Sequence, residues 1–208
     1  MIVRAVWPQP GRPIDTAAPD ARQRLRELYA VPTGTDWLRV NLVVGLDGSA
    51  RGADGTSHSL SGGADRAVLG AIRSLADTVL VGGATLRAEP GLIPKTAALA
   101  VLSRSGDLGD AVLRPGDRVL PRLEPIPGSV VCEGGPSVVR ALLDAGLVDE
   151  VCLSTAPLLT GTDFPAFGGA GAAEWELTQL LVDDAGYQFA RFRVPSQSRI
   201  APSQRSRS

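Results

Sequence analysis

Three polar turns follow apolar runs of this sequence, and their residue types suit the binding of phosphate groups. The first, EGGPSVV, contains Gly134 and Gly135 followed by Pro136 and Ser137. Glycine lets a backbone come close to a ligand because it lacks a Cβ, and proline suits the first position of a helix. Backbone N–H groups at a helix start attract anions such as a pyrophosphate. An ordinary strand-to-helix turn has the same pattern, so a purely structural turn is the alternative.

The second turn, VGGATLRAEP, also ends an apolar run with two glycines, Gly82 and Gly83. The hydroxyl of Thr85 can donate a hydrogen bond to a phosphate or a sugar. Arg87 and Glu89 add a cation and an acid at the same rim. The alternative here is a solvated loop with an internal ion pair.

The third turn, VLSRSGD, places Ser103 and Arg104 directly after an apolar run. The forked guanidinium of arginine is well suited to a single phosphate, although a solvated arginine has the same sequence signature. Three such turns after three apolar runs together indicate a ligand that carries phosphates.

The apolar runs and their spacing predict the elements that position these turns. Helical periodicity and boundary residues predict helices over residues 20–32 and 64–75. Strands are predicted over residues 37–49, 78–81 and 98–102, with a final antiparallel strand over residues 186–194. Strand–helix–strand units imply parallel crossovers, so we predict an α/β three-layer domain with a mostly parallel central sheet. Ligands of such sheets bind beyond the carboxyl ends of the strands, where the three turns lie.

The length and composition predict one domain. The chain has 208 residues, of which 44% are hydrophobic and 21% charged, which suits one buried core. Residues 1–17 are predicted as a flexible lead-in, residues 18–194 as a single domain and residues 195–208 as a disordered tail. The tail is locally basic, so a nucleic-acid arm is its alternative. The net charge of −1 gives no indication of a nucleic-acid partner.

Cysteine and histidine usage argues against a metal site. Cys132 and Cys152 lie in apolar runs without a CxxC motif, and His58 is the single histidine, so we predict buried thiols and no metal. Apolar runs stay shorter than the roughly 18 residues of a membrane span, and no signal peptide opens the chain. We therefore predict a cytoplasmic protein without a membrane partner.

The order of the motifs NLVVGLDGS, VGGATLRAE, VLSR, EGGPSVVRALLDAGLVDEV and GYQFARFRV resembles the pyrimidine reductase family of riboflavin biosynthesis. The likeness spans about residues 36–194. It is greatest with the stand-alone actinobacterial branch, and it implies a dihydrofolate reductase-like fold. The resemblance further implies NADPH-dependent reduction of a ribosylamino-pyrimidine phosphate, a small-molecule substrate, and a homodimer.

The resemblance also implies roles for individual residues. NADPH would lie across the glycine turns, and Ser103 with Arg104 would bind its 2′-phosphate. The implied cofactor residues are Gly82, Gly83, Thr85, Leu86, Ser103, Arg104, Gly134, Gly135, Pro136 and Ser137. The implied substrate-binding residues are Asn41, Ser61, Arg66 and Arg73, and the implied catalytic residues are Glu133, Asp47 and Glu89.

Each of these substrate-side residues also has a structural interpretation. Glu133 would act as proton donor or ring anchor, or it could bond the start of the following helix. Asp47 stands in an Asp-Gly turn, a favoured turn by itself. Ser61, Arg66 and Arg73 would hold the ribose phosphate, although any one of the three could be a surface residue.

The chain departs from the family pattern in three places. Many members carry Lys where this chain has Asn41, and Asp-Asp-Pro where it has Glu89-Pro90. The middle, residues 90–130, is short and looks to have lost one strand–helix unit. Two alternative functions follow from these departures: a dihydrofolate or pterin-type reductase, and a non-catalytic ligand-binding protein on the same scaffold.

Overall fold

The computed structural model describes residues 1–195. The tail predicted over residues 195–208 therefore lies, except for its first residue, outside the described part, and its disorder stays a prediction. Within residues 1–195 no helix is long and apolar enough to cross a membrane. No group of three or more His, Cys, Asp or Glu side chains in the same part of the chain is placed to hold a metal ion.

The described chain forms four α-helices and one mixed sheet. The helices are α1 (Ala21–Leu28), α2 (Gly63–Arg73), α3 (Gly83–Ala88) and α4 (Pro136–Asp144). The strands are β1 (Ile2–Trp7), β2 (Ile14–Asp15), β3 (Trp37–Val44), β4 (Thr78–Gly82), β5 (Ala98–Leu102), β6 (Arg118–Leu120), β7 (Ser129–Cys132), β8 (Glu150–Thr155), β9 (Glu176–Asp183) and β10 (Gln188–Arg193). Short 3₁₀ turns occur at His58–Leu60 and Pro90–Leu92.

The sheet has a parallel half and an antiparallel half. Its strand order is β2-β1-β9-β10-β8-β3-β7-β4-β5-β6. The strands from β8 to β6 run parallel, while β10, β9, β1 and β2 join them through antiparallel pairs. The carboxyl ends of β3, β4, β5 and β7 therefore meet at one edge, which is where the predicted turns begin.

Helices cover both faces of the sheet and give the predicted three layers. On one face, Val68 and Ile72 of α2 pack with Leu25 of α1 in a single buried cluster. On the other face, Val139 and Leu142 of α4 pack with the inner strands. Apolar residues on both faces of the parallel strands are what a sheet covered on two sides requires. The prediction of an α/β fold with a mainly parallel centre and an antiparallel C-terminal strand is confirmed.

The prediction of a flexible lead-in over residues 1–17 is wrong, because these residues extend the sheet. β1 pairs antiparallel with β9, and β2 pairs with β1. Val3 and Ile14 are buried in the core cluster of α1 and α2. The sequence analysis missed β1, β2, β6 and β9. β1 and β9 pair from opposite ends of the chain, and β2 pairs with the missed β1. β6 has only three residues, and a short strand is specified mainly by its neighbours.

The shortened middle of the chain consists of strands and loops. Within residues 93–135, all of which the structure describes, β5, β6 and β7 are present and no α-helix is. The loop between β5 and β6 is held by Asp117, whose carboxylate accepts hydrogen bonds from the backbone N–H of Leu99 and of Arg114, both at 2.8 Å. This loop stands beside the predicted 2′-phosphate turn at Ser103.

Candidate active site

One large cleft opens at the carboxyl ends of the parallel strands and has a volume of about 1080 Å³. It is lined by all three predicted phosphate turns and by part of the predicted substrate set. The predicted residues that line it are Asn41, Ser61, Gly82, Gly83, Thr85, Glu89, Ser103, Arg104, Glu133, Gly134, Gly135, Pro136 and Ser137. The cleft lies where ligands of parallel α/β sheets bind, and it is large enough for a drug-sized ligand or a dinucleotide.

The three turns are packed directly against one another, and this contact explains their glycines. The N–H of Gly82 donates to the carbonyl of Gly134 at 2.8 Å. A Cβ added to Gly83 would lie 2.8 Å from the Ser103 hydroxyl oxygen, and a Cβ on Gly135 would lie 2.7 Å from that of Thr85. Both distances are too short for a side chain, so these glycines let the turns form a continuous backbone wall.

Helix α4 begins at this wall and presents unpaired donors to the cleft. Gly135 is its N-cap and Pro136 is its first residue. The N–H groups of Gly135 and Ser137 donate to no protein acceptor within residues 1–195, whereas Val138 and Val139 donate to the Gly135 carbonyl. Unsatisfied N–H groups at a helix start favour a bound anion. The turn therefore fits the phosphates of a dinucleotide.

The far end of the cleft is cationic. Arg104 follows β5 and Arg122 follows β6, and both are exposed at the lining. Neither guanidinium donates to a protein acceptor in the described chain. The sequence analysis found Arg104 but missed Arg122, because β6 was not predicted and nothing marked Arg122 as the end of a strand.

Glu133 forms an ion pair with Arg73, a contact that the sequence analysis did not predict. Arg73 Nε and Nη2 donate to Glu133 Oε1 and Oε2 at 2.6 and 2.5 Å. The pair joins the end of α2 to the end of β7 across the sheet edge. Arg73 does not line the cleft, so its predicted contact with a ribose phosphate has no support in this geometry, and it positions Glu133 instead.

Asp65 is a buried acid of the cleft that the sequence analysis missed. It lies in the first turn of α2, is 5% exposed and lines the cleft. Its carboxylate accepts a hydrogen bond from the Ser61 hydroxyl. Burial raises the pKa of Asp65, although hydrogen bonds from Ser61 and Ser154 and the charge of Arg66 oppose the shift. In the sequence, Asp65 looks like any acidic residue near the start of a helix, and only the structure shows that it is buried.

Glu89 also lines the cleft and is held by the loop that follows β3. Its two carboxylate oxygens accept hydrogen bonds from the backbone N–H and the hydroxyl of Ser57, at 2.7 and 2.9 Å. Ser57 also lines the cleft. The contact fixes the loop over residues 52–60 against the end of α3, so Glu89 combines a place at the cleft with a structural contact.

Besides Arg73, three predicted site residues lie away from the cleft lining. Asp47 accepts hydrogen bonds from Thr160 and from the N–H of Gly161, so it fixes two loops together. Burial works to raise the pKa of Asp47, but those hydrogen bonds outweigh it and hold the pKa below its usual value. Arg66 is exposed, and Leu86 is buried in the core, where only its backbone is available to a ligand.

Comparison with known proteins decides the family. A family model described as the RibD C-terminal domain matches residues 36–104 and 118–189. The chain belongs to the RibD C-terminal domain family. The riboflavin biosynthesis protein RibD of Mycobacterium tuberculosis (strain CDC 1551 / Oshkosh) is 29% identical over 72% of this chain and 50% of its own length. The chain thus spans about half the length of the curated relatives it matches.

Solved structures show the same fold. A pyrimidine reductase-like protein from Corynebacterium diphtheriae superposes with a TM-score of 0.67 at 21% identity, over 82% of this chain and 98% of that one. Dihydrofolate reductase from Enterococcus faecalis, solved with NADP(H), gives a TM-score of 0.58 at 16% identity, over 76% and 96% of the two chains. This member of the RibD C-terminal domain family therefore has a dihydrofolate reductase-like fold, as the motif resemblance implied.

The family match leaves out residues 105–117. These residues form the loop between β5 and β6, next to Ser103 and Arg104. The matched residues include the two glycine turns and Ser103 with Arg104, all of which line the cleft.

Proposed function

We propose that this chain is an NADPH-dependent reductase that acts on a ribosylamino-pyrimidine phosphate of the 5-amino-6-ribosylaminouracil 5′-phosphate type. The observation that carries the proposal is the single cleft in which the glycine turns meet Asn41, Asp65 and Glu133. The glycine turns would hold the cofactor and the polar side chains the substrate, so that both molecules share one cleft, as hydride transfer between them requires.

The residues at the cofactor wall fit a phosphorylated dinucleotide. The N–H groups of Gly135 and Ser137 would hold its pyrophosphate, while Ser103, Arg104 and Arg122 would hold a 2′-phosphate. A reduced nicotinamide would supply the hydride when bound. The choice of NADPH over NADH rests on the two arginines, since a 2′-phosphate adds negative charge at that end of the cleft.

The residues proposed to bind the substrate are two carboxylates, Asp65 and Glu133, and the amide of Asn41. Asn41 offers both an amide donor and a carbonyl acceptor, and Asp65 and Glu133 offer carboxylates. These groups match the amino, ring N–H and carbonyl groups of an aminopyrimidine. Glu133, held by Arg73, would orient the ring. Asp65 would act as the proton donor, since burial raises its pKa above the ordinary value and favours the protonated form.

Enzyme assay and calorimetry test the proposal together. We expect NADPH to bind in the micromolar range or better, and its absorbance to fall when the pyrimidine substrate is added. A well-folded sample that binds no NADPH in calorimetry would contradict the reductase function and favour a non-catalytic binding protein. Binding of NADPH with turnover of dihydrofolate but not of the pyrimidine would move the substrate assignment to the pterin class.

A homodimer in the cytoplasm remains part of the proposal. Relatives of this family act on small molecules, and the described residues give no indication of a membrane-spanning helix. Sedimentation at low concentration should give twice the monomer mass, and a monomer at all concentrations would contradict the dimer.

A further inference from the structure

Arg51 lies at the cleft with its charge supported on an aromatic ring. Its Cζ stands 3.8 Å from the centroid of the Phe164 ring, and both residues line the cleft. The Arg51 guanidinium donates to no protein acceptor within residues 1–195. Stacking on a ring holds a guanidinium by its face, which leaves its N–H edges available to an acceptor in the cleft.

The backbone on both sides of this stack is fixed. The N–H of Ala50 donates to the carbonyl of Phe164 at 2.9 Å, and Ser49 forms an antiparallel bridge with Pro165. The Arg51 carbonyl accepts from the hydroxyl of Thr162 at 2.7 Å. Because the loop after β3 and the segment around Phe164 are joined by these bonds, the stack is in place before any ligand binds.

The segment that contains Phe164 continues to Gly168 and Gly169, which contact helix α4. A Cβ on Gly168 would lie 2.6 Å from the carbonyl oxygen of Pro136, so the backbones are in close contact. Arg140 of α4 donates to the carbonyl of Gly169 at 2.5 Å. Arg51 and Phe164 line the same cleft as Gly135 and Ser137, and the segment that follows Phe164 packs against the start of α4.

We propose that Arg51, stacked on Phe164, binds the pyrophosphate of the dinucleotide cofactor. The inference rests on the proposed function, since it assumes that the cleft takes a dinucleotide. The backbone N–H groups at α4 give directed hydrogen bonds but only a partial positive charge. Arg51 would supply a full charge and a forked donor to the same pyrophosphate. Its partner group is common to NADPH and NADH, unlike the 2′-phosphate that Arg104 and Arg122 face.

Calorimetry with both nucleotides tests the assignment. We expect Arg51→Met to weaken the binding of NADPH and of NADH equally, by about 10-fold, as the loss of a charge-assisted contact predicts. Arg51→Lys keeps the charge without the fork, and Phe164→Leu keeps the arginine without its support, so each should give an intermediate loss. Arg22→Met, which removes an exposed charge on α1, is the matched control and should leave both dissociation constants unchanged.

The possible results distinguish a failure of the Arg51 assignment from a failure of the proposed reductase function. Wild-type affinity of Arg51→Met for both nucleotides would overturn the role of Arg51 and leave the reductase proposal standing. A rise in KM for the phosphorylated substrate alone, with both nucleotide constants unchanged, would show that Arg51 binds the substrate phosphate and would also overturn the assignment. A wild-type protein that binds neither nucleotide would overturn both proposals. Thermal unfolding of each variant shows whether it is folded.

Discussion

Arg73 and Glu133 form a bidentate ion pair that joins helix α2 to the end of strand β7 at the cleft. The contacts are Nε to Oε1 at 2.6 Å and Nη2 to Oε2 at 2.5 Å. The side chains are 22% and 5% exposed. Burial works to lower the pKa of Arg73, and the hydrogen bonds and charge of Glu133 more than offset this, so the pKa is raised. The pair fixes the one acid that stands directly before the glycine turn of α4.

Removing the cation of this pair should destabilise the protein. Arg73→Met leaves the Glu133 carboxylate buried without its partner, which we expect to cost about 3 kcal/mol in the free energy of unfolding. Glu133→Gln combined with Arg73→Met removes the charge that would be left unpaired, so the double variant should lose less than the two single losses added together. Urea denaturation of the four proteins gives the coupling energy. Strict additivity would show that the two side chains do not interact.

The buried carboxyl of Asp65 should make the protein less stable as the pH rises. Its folded-state pKa is raised above the ordinary value of 3.8, so the protonated form is preferred in the folded protein. The stability it contributes is fully present below about pH 3.8 and is lost as the pH rises through the folded-state pKa. Asp65→Asn does not titrate, so its melting temperature relative to wild type should increase from acid to neutral pH.

Thermal melts across this pH range check the prediction for Asp65, with Asp20→Asn as the control. Asp20 is exposed and makes no side-chain cap bond to α1, so the same chemical change there should give no pH-dependent difference. A melting difference between Asp65→Asn and wild type that is constant with pH would contradict the raised pKa.

The arginines at the far end of the cleft should set the choice of nucleotide. Arg104→Met removes a cation beside Ser103, and we expect it to weaken NADPH binding about 10-fold while NADH binding changes less than about 2-fold. Arg122→Met should act in the same direction. Arg118→Met, an exposed residue of β6 outside the cleft lining, serves as the control. Equal losses for both nucleotides would place the 2′-phosphate elsewhere.

Asp117 should be a main support of the loop between β5 and β6. Its side chain is 1% exposed, and its hydrogen bonds with Arg114 lower its pKa from 3.8 to about 2 against the effect of burial. A depressed pKa stabilises the folded protein above the unfolded value, and this contribution is lost as the pH falls through about 2. Asp117→Asn should therefore cost about 2 kcal/mol at neutral pH.

Urea unfolding at several pH values tests the role of Asp117. The difference from wild type should shrink as the pH falls from about 4 toward about 2, because wild-type Asp117 then becomes neutral too. Asp110→Asn, an exposed change in the same loop, is the control. A difference that does not change over this range would contradict the lowered folded-state pKa of Asp117.

The sequence by itself determined the main parallel strands and the glycine turns that line the cleft. Apolar runs of the parallel strands are local signals, and the glycine pairs at 82–83 and 134–135 are required wherever strand ends crowd together. The turns could therefore be found without knowing which strands pair. The shared cleft then followed, because carboxyl ends of parallel strands meet at one edge.

The tertiary structure alone decided what the charged side chains do. Arg73 and Glu133 are 60 residues apart in sequence, and only the packing of α2 against β7 pairs them and turns a predicted phosphate ligand into a positioning residue. Asp65 could be recognised as a candidate site residue only from its burial, and Arg51 only from its stacking on the ring of Phe164. The strand β1 could not be foreseen because its partner β9 lies at the other end of the chain. Charge pairing, burial and strand pairing depend on distance in space, which a linear pattern does not contain.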